Sequence, residues 1–354
     1  MSDQSSASGP GPLAGVRVLE MGSFIAGPFA VQLLGDYGAD VIKVEPPGDG
    51  DPMRRWGVTI EGDSLWWPQI GRNKRSIALD LRQPEARRIV ARLAETCDVV
   101  LENFRPGTLE RWGLDHATLA ASNPKLITVH VSGFGQTGPL AGQAGLGSVG
   151  EAMGGIRYTT GSPDRPPSRA GISLGDALAS VFAVMGALSA VVAAKTTGRG
   201  QEVDVAIYEA VAALMESTMA DYELGGVVRS RSGSVLPGVA PSNVYPTVDG
   251  AEVVIAANAD AVFGRLCTAM GRPELATGER YSSHTARGEH MEELDALISA
   301  WTSSRTCDDV LAACDEHGVP AGRIFTAPDM LADPQYLARE MVRRVTTGQG
   351  WEVP

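Results

Sequence analysis

The sequence predicts an α/β fold: a parallel, doubly wound sheet in a large domain, followed by a smaller α/β domain. Two observations lead there. Short apolar runs rich in Val and Ile alternate with segments of helical period through the N-terminal part of the chain. A stretch rich in Gly, Ser and Arg at 225–238 then breaks the pattern, and shorter elements follow it.

Residues 16–21 (VRVLEM) read as a buried strand. Pro28 stands where a helix can begin, because its fixed φ suits a first turn whose N–H groups lack partners anyway. The apolar spacing of 29–37 continues that helix until Gly38 stops it. Residues 39–45 (ADVIKVE) form the next strand, 84–95 an amphipathic helix, 98–102 (DVVLE) a strand and 126–131 (LITVHV) another. A long Ala-rich helix spans 177–195, with a strand at 201–206 and a helix at 207–220. Beyond the linker, a short strand at 253–257 and helices at 260–270 and 291–303 make the smaller domain. Strands alternating with helices in this way bury a parallel sheet between helical layers.

The 354 residues are 44% apolar and 20% charged, the balance of an ordinary globular enzyme. A formal net charge of −12 argues against a broad nucleic-acid footprint, so a polyanion must meet a local basic pocket. Cys97, Cys267, Cys307 and Cys314 show no C-x-x-C or metal-ligand spacing, which favours reduced structural thiols and no metal. The opening MSDQSSASGPGP is polar and flexible, with no apolar core of a secretory signal. The apolar run 177–194 brushes the length of a membrane span but reads as a core helix. A cytoplasmic protein with neither nucleic-acid nor membrane partner is expected.

Two patterns imitate dinucleotide binding. Glu45 ends the second strand, where a ribose acid would stand, yet the turn after the first strand (GSFIAG) lacks the glycine spacing. A literal G-x-G-x-x-G occurs at Gly133, Gly135 and Gly138, but Pro139 and more glycines follow it where a helix should start.

The densest functional signal is 145–176, GLGSVGEAMGGIRYTTGSPDRPPSRAGISLGD. Glycines crowd there, Arg157, Arg165 and Arg169 lie close together, and Asp176 stands at the mouth of the apolar helix. Position alone leaves two readings for Asp176. It is a plain N-cap, or it is a nucleophile kept ionised by nearby backbone N–H groups and the helix dipole, with Gly175 admitting a substrate carbonyl.

Seven motifs in order carry a resemblance that separates the two. They are PLAGVRVLEMGSFIAGPFAVQLLGDYGADVIKVEPP (12–47), NKRSIALDL (73–81), ENFRPGTLERWGL (102–114), SGFGQTGP (132–139), GISLGD (171–176), GRGQEVDVAIYEA (198–210) and HGVPAGRI (317–324). Over nearly its whole length the chain resembles the class III CoA-transferases of the CaiB/BaiF type, a family shared with α-methylacyl-CoA racemases. The resemblance implies that Asp176 attacks the thioester carbonyl of an acyl-CoA, giving an aspartyl anhydride and then an aspartyl-CoA thioester. It places Arg82, Asn103, Phe104, Arg105 and Arg111 near the nucleotide part of coenzyme A. The stretch GSVGEAMGGIRYTTG (147–161) with PDRPPSR (163–169) is similar to members that act on short dicarboxyl acyl groups such as succinyl, malyl or citramalyl, and at least one of Arg157, Arg165 and Arg169 is expected to hold the distal carboxylate. Racemases of the family carry a His–Asp pair where this chain has Leu146 and Gly147, and none of its five histidines falls there. Racemase or lyase-type chemistry, and a catalytically silent CoA-binding protein, are the other readings.

The resemblance also implies domains: a flexible start at 1–12, a Rossmann-like large domain at 13–225 with the nucleophile, a small domain at 226–330, and at 331–354 the start of a segment that returns to the large domain and is cut short. It implies an interlocked homodimer, with coenzyme A and acyl-CoA as substrates and no resident cofactor.

Overall fold

The structure, a computed structural model, describes residues 11–354, so the flexible start lies outside the described residues except for its last two positions. The chain divides into two units. One runs up to Thr159 and takes in Arg169–Arg229; the other comprises Thr160–Ser168 and Ser230–Pro354. The division thus falls inside the expected linker, after Arg229 rather than at 225. Two features differ from the expected domains: a short excursion at 160–168 joins the second unit, and 331–354 belongs to that same unit.

In the first unit the order is β1 (Arg17–Glu20), α1 (Ala26–Asp36), β2 (Asp40–Glu45), β3 (Lys74–Ala78), α2 (Pro84–Ala94), β4 (Val99–Glu102), α3 (Thr108–Trp112) and β5 (Ile127–Ser132). Then come α4 (Gly147–Met153), α5 (Ile156–Thr159), α6 (Leu174–Thr197), β6 (Glu202–Ala206), α7 (Ile207–Ala212) and α8 (Thr218–Gly225). The single helix expected over 207–220 is therefore two, separated where Glu216 adopts φ 51, a left-handed conformation that a helix cannot continue through.

The strands form one six-stranded sheet in the order β3-β2-β1-β4-β5-β6, parallel throughout. Val18 pairs with Val41 on one side and Val99 on the other. Successive side chains alternate between faces, so both faces are apolar. Val18, Val41, Val99, Leu101 and Val129 face a core shared with α1 and α6. Leu19, Val44 and Val100 face another with Val90 and Ala94 of α2. This strand order reverses direction between β1 and β4, and ligands of such sheets bind in the crevice beyond the carboxyl ends of the strands at that point.

Helix α6 is 24 residues long, and Ala179, Ala183, Ala187, Ala190 and Ala194 form its buried side. Alanine has the best helix propensity and the smallest side chain, so the helix runs unbroken and lies close to α1 and the sheet. Gly198, at φ 73, ends it by donating its N–H to the Ala194 carbonyl. The helix is long and apolar enough to cross a membrane by composition, but 44% of that stretch is buried against its own unit.

The second unit has a three-stranded antiparallel sheet, in which the central β8 (Glu252–Ala256) lies between β7 (Ser242–Pro246) and β9 (Ala321–Arg323). Helices Asp260–Ala269, Met291–Thr302 and Cys307–Glu316 pack on it around Tyr245, Phe263, Leu266, Ile298 and Trp301. Arg287, wholly buried, donates to the carbonyls of Ala240, Tyr281 and Asn258 and pairs with Asp260.

Candidate active site

Three neighbouring strands of the sheet end in an acid: Glu45 closes β2, Glu20 closes β1 and Glu102 closes β4. Glu20 is fully buried and holds two lysines, Lys43 at 2.6 Å and Lys74 at 2.8 Å. Burial alone would push the Glu20 carboxyl up, but the two lysine charges outweigh it and hold it low. Lys43 Nζ also donates to the Gly22 carbonyl and pairs with Asp51, while Lys74 Nζ donates to the Pro28 carbonyl. Lys43 therefore fixes the start of the loop between β1 and α1, and Lys74 the first turn of α1 that follows it. Asn103 clamps its middle, accepting from Ser23 N–H at 2.9 Å and donating to the Ser23 carbonyl at 2.8 Å. Phe24 in that loop sits at φ 64, with its ring edge-on to Trp56. A left-handed non-glycine residue persists only where its surroundings over-determine it.

Beyond this loop lies a cavity of about 330 Å³ lined by Met21, Gly22, Leu79, Arg82, Phe104 and Trp112. Phe104 stacks edge-on against Trp112 at 5.2 Å. Arg82 is exposed and forked onto Asp80 at 2.8 and 3.1 Å, which holds the Asp80 carboxyl down at about 2. A second hollow of about 240 Å³ shares Phe104 with it and is lined also by Asn103, Arg105, Gly133, Gly145 and Leu146. Arg111 is exposed and donates to Thr108 Oγ1. Of the five residues expected at the nucleotide, Arg82 and Phe104 thus share the first cavity, and Asn103, Phe104 and Arg105 the second. The Asn103 amide, however, is turned wholly to Ser23.

The glycine-rich loop after β5 leads to Asp176. A Cβ on Gly133 would stand 2.5 Å from the Gly145 Cα, so the two ends of the loop touch backbone to backbone. Helix α4 and its C-cap then present Gly147, Gly150 and Gly154 on one face. Cβ atoms on Gly150 and Gly154 would meet Ile207 and Val211 of α7 at 2.5 Å each. At Gly147 the neighbour is Asp176 itself: Oδ2 lies 2.1 Å from where a Cβ would be. Leu146 just before it is 71% exposed.

Asp176 is not the N-cap. Ser173 holds that position, and Asp176 is the third residue of α6, half-buried in its first turn. The helix terminus favours its charge, but the local balance runs against that expectation. Burial, with the charge of Glu151 adding to it, pushes the Asp176 carboxyl up to about 6 against an opposing pull from Arg169. Glu151 is 2% exposed, accepts from Gly175 N–H at 3.2 Å and pairs with Arg157 at 2.7 Å. Arg157 is therefore engaged with Glu151. Arg169 is exposed, within 3.4 Å of Ser173 Oγ, and its charge reaches Asp176. Arg165 is exposed in the excursion that joins the second unit.

Sequence reasoning passed over Glu151 and the buried Glu20–Lys43–Lys74 cluster. It also passed over His130 within β5, whose Nδ1 lies 2.6 Å from Glu102 Oε1. Burial works against the His130 charge, but Glu102 and Glu202 outweigh it and raise its pKa. Acids closing three of the Val-rich strands were a readable signal. Among the described residues no group of three or more His, Cys, Asp or Glu side chains could hold a metal ion.

The chain belongs to CoA-transferase family III, whose family model matches residues 13–354. It is a CoA-transferase. It is 59% identical over 96% of its length to a succinyl-CoA–D-citramalate CoA-transferase of Chloroflexus aurantiacus, covering 84% of that protein. It is 38% identical over 97% to a succinate–glutarate CoA-transferase of Agrobacterium fabrum, covering 87%. Among solved structures, a CaiB/BaiF family protein from Brucella suis superposes with a TM-score of 0.84 at 39% identity, covering 97% of this chain and 91% of that one.

Proposed function

We propose that this enzyme moves coenzyme A from succinyl-CoA to a short dicarboxylic acid of the citramalate or malate kind, with Asp176 as nucleophile. The observation that carries the reading is the Asp176 carboxylate lying against Gly147, one residue after Gly175 in the first turn of α6. The named activities of the relatives, succinyl-CoA with D-citramalate or with L-malate, supply the acyl groups.

The chemistry needs no external acid or base. An Asp176 oxygen bonds to the thioester carbonyl carbon, the C–S bond breaks, and the thiolate of coenzyme A leaves an acyl-aspartyl anhydride. That thiolate then bonds to the Asp176 carbonyl carbon, the anhydride C–O bond breaks, and succinate departs from an aspartyl-CoA thioester. The acceptor carboxylate attacks that thioester and the two steps run in reverse, restoring the Asp176 carboxylate. Each addition makes an oxyanion, which backbone N–H groups beside glycines can approach. The first cavity, flanked by Arg82 and walled by Phe104, suits the nucleotide. The second, lined by Arg105 and Leu146, suits the pantetheine arm. Arg105 and Arg111 are exposed cations available to its phosphates. Arg169 is the arginine suited to the distal carboxylate, because Arg157 is engaged with Glu151.

We also place the protein as a cytoplasmic homodimer without a resident cofactor. The four cysteines are buried free thiols, as a reducing compartment allows. Val181, Met185 and Val192 of α6 and Met219, Tyr222 and Leu224 of α8 are exposed apolar side chains that a second copy would cover. Succinyl-CoA offered with a panel of carboxylic acids tests the activity by mass spectrometry. New acyl-CoA should form with hydroxy-dicarboxylates, and hydrolysis to free coenzyme A alone would contradict it.

A further inference from the structure

Glu151 is a buried carboxylate that the transfer steps leave without a task. Its side chain is fixed from two sides. Arg157 of α5 holds Oε2, and Gly175 N–H, one residue before the nucleophile, donates to Oε1. The approach is close enough that a Cβ on Gly175 would lie 3.0 Å from Glu151 Cγ. Glu151 thereby ties α4 and α5 to the first turn of α6.

The other charged groups on the elements around Asp176 are occupied elsewhere. Glu209 of α7 accepts from Tyr208, Asp204 of β6 accepts from Gln136 N–H, and His130 of β5 lies between Glu102 and Glu202. Asp36 of α1 pairs with Arg72 at the far end of that helix. This leaves Glu151 beneath the nucleophile and Arg169 on the segment leading to it as the charges acting on the Asp176 carboxylate.

We propose that Glu151 is a positioning residue for CoA transfer: anchored by Arg157, it sets the first turn of α6 through Gly175 and its charge makes the Asp176 carboxylate a stronger nucleophile. This rests on Asp176 being the reacting group. The physical reason is like-charge repulsion. Two carboxylates in a partly dry site raise the basicity of the reacting one, and a more basic carboxylate attacks faster once ionised. Forming the anhydride moves the negative charge from Asp176 out to the thioester oxygen and relieves the repulsion as the reaction proceeds. Arg157 moderates the effect as the counter-charge of Glu151. At neutral pH the nucleophile is still mostly ionised, since its pKa of about 6 lies below 7.

Two variants of the full-length protein separate this from a scaffolding role. Glu151→Gln keeps an oxygen to accept from Gly175 N–H but removes the charge. It should move the acid limb of the kcat profile for succinyl-CoA exchange to lower pH and lower the plateau kcat. The loss should be about threefold for every tenfold fall in the basicity of the Asp176 carboxylate, at a Brønsted slope of about 0.5, with KM for succinyl-CoA nearly unchanged. Arg157→Met leaves Glu151 without its counter-charge and should move the acid limb to higher pH. A scaffolding role would lower activity in both variants without moving the limbs in opposite directions. Acid limbs that stay in place, or move the same way in both variants, would overturn the proposal. If Glu151→Gln does not fold, Arg157→Met carries the test alone, and a limb unmoved or moved downward overturns it. Mass spectrometry of the Asp176 peptide separates the two readings. An acyl adduct there with unmoved limbs refutes the role of Glu151 alone, and absence of any adduct in active wild-type enzyme refutes Asp176 as nucleophile.

Discussion

The Asp176 carboxylate occupies the space a side chain at position 147 would need, with Oδ2 2.1 Å from the site of a Cβ on Gly147. The position of the Asp176 carboxylate and the absence of a side chain at 147 are therefore one feature. A His–Asp pair of the racemase kind at 146 and 147 cannot be accommodated with Asp176 where it stands, because the aspartate at 147 would bring that Cβ.

Gly147→Ala consequently forces Asp176 off its position. We expect kcat for CoA exchange to fall by about a hundredfold, the scale of a misplacement of about 1 Å, with a much smaller change in KM. Thermal denaturation should show a folded protein, and activity within a few-fold of wild type would contradict the account.

Asp176 also makes stability depend on pH. Its folded-state pKa, raised from 3.8 to about 6, means the folded chain holds this proton more tightly than the unfolded chain. The contribution is fully present below the ordinary carboxylate pKa and is lost as pH rises through about 6. Asp176→Asn removes the loss, so the variant should gain on the order of 2 kcal/mol over wild type at pH 8 and little at pH 4. The gain stays below what full burial would give because the group is partly open to solvent. Denaturant titrations at the two pH values check it, and a gain at pH 4 equal to that at pH 8 would contradict it.

Arg82 is exposed and forked onto Asp80, and under the proposed function it exchanges that partner for a phosphate of coenzyme A. Arg82→Ala should raise KM for succinyl-CoA by about tenfold and leave kcat nearly unchanged, the loss of one charge-assisted contact made equally in ground and transition states. The wild-type advantage should shrink at high salt. A fall in kcat with KM unchanged would place Arg82 elsewhere in the reaction.

Arg157 and Arg169 should part company in substrate discrimination. Arg169→Met should weaken use of succinyl-CoA by at least about tenfold relative to butyryl-CoA, because only the former has a distal carboxylate. Arg157→Met should affect both thioesters alike, since its partner is Glu151. Steady-state kinetics with the two thioesters decides, and equal losses for Arg169→Met would remove it from the substrate.

Much of the large unit was legible because local signals and burial agreed. The Val-rich runs ending in Glu20, Glu45 and Glu102 became β1, β2 and β4, and the Ala-rich run became α6. The helix expected over 207–220 was not legible as two, since its apolar residues continue across Glu216 while the backbone turns left-handed there. The 160–168 excursion into the second unit depends on long-range packing that no local period reports. At the site, Asp176 was visible by motif, but its carboxyl tuning was not. It depends on Glu151, distant in sequence, buried and turned towards Gly175. Arg157 was expected at a substrate carboxylate and Asn103 at the nucleotide, and their partners Glu151 and Ser23 escaped the sequence for the same reason: it shows the group and hides the partner.

The claim on which the account rests is that Asp176 takes the acyl group. The most direct measurement is Asp176→Asn assayed for exchange between succinyl-CoA and a hydroxy-dicarboxylate, beside peptide mass spectrometry of wild-type enzyme incubated with succinyl-CoA. An amide cannot form the anhydride, so the variant should lose transfer by several orders of magnitude while remaining folded and binding coenzyme A, and the wild-type peptide containing Asp176 should carry an adduct. Near-normal turnover in the variant, with no deamidation back to aspartate, would contradict the account.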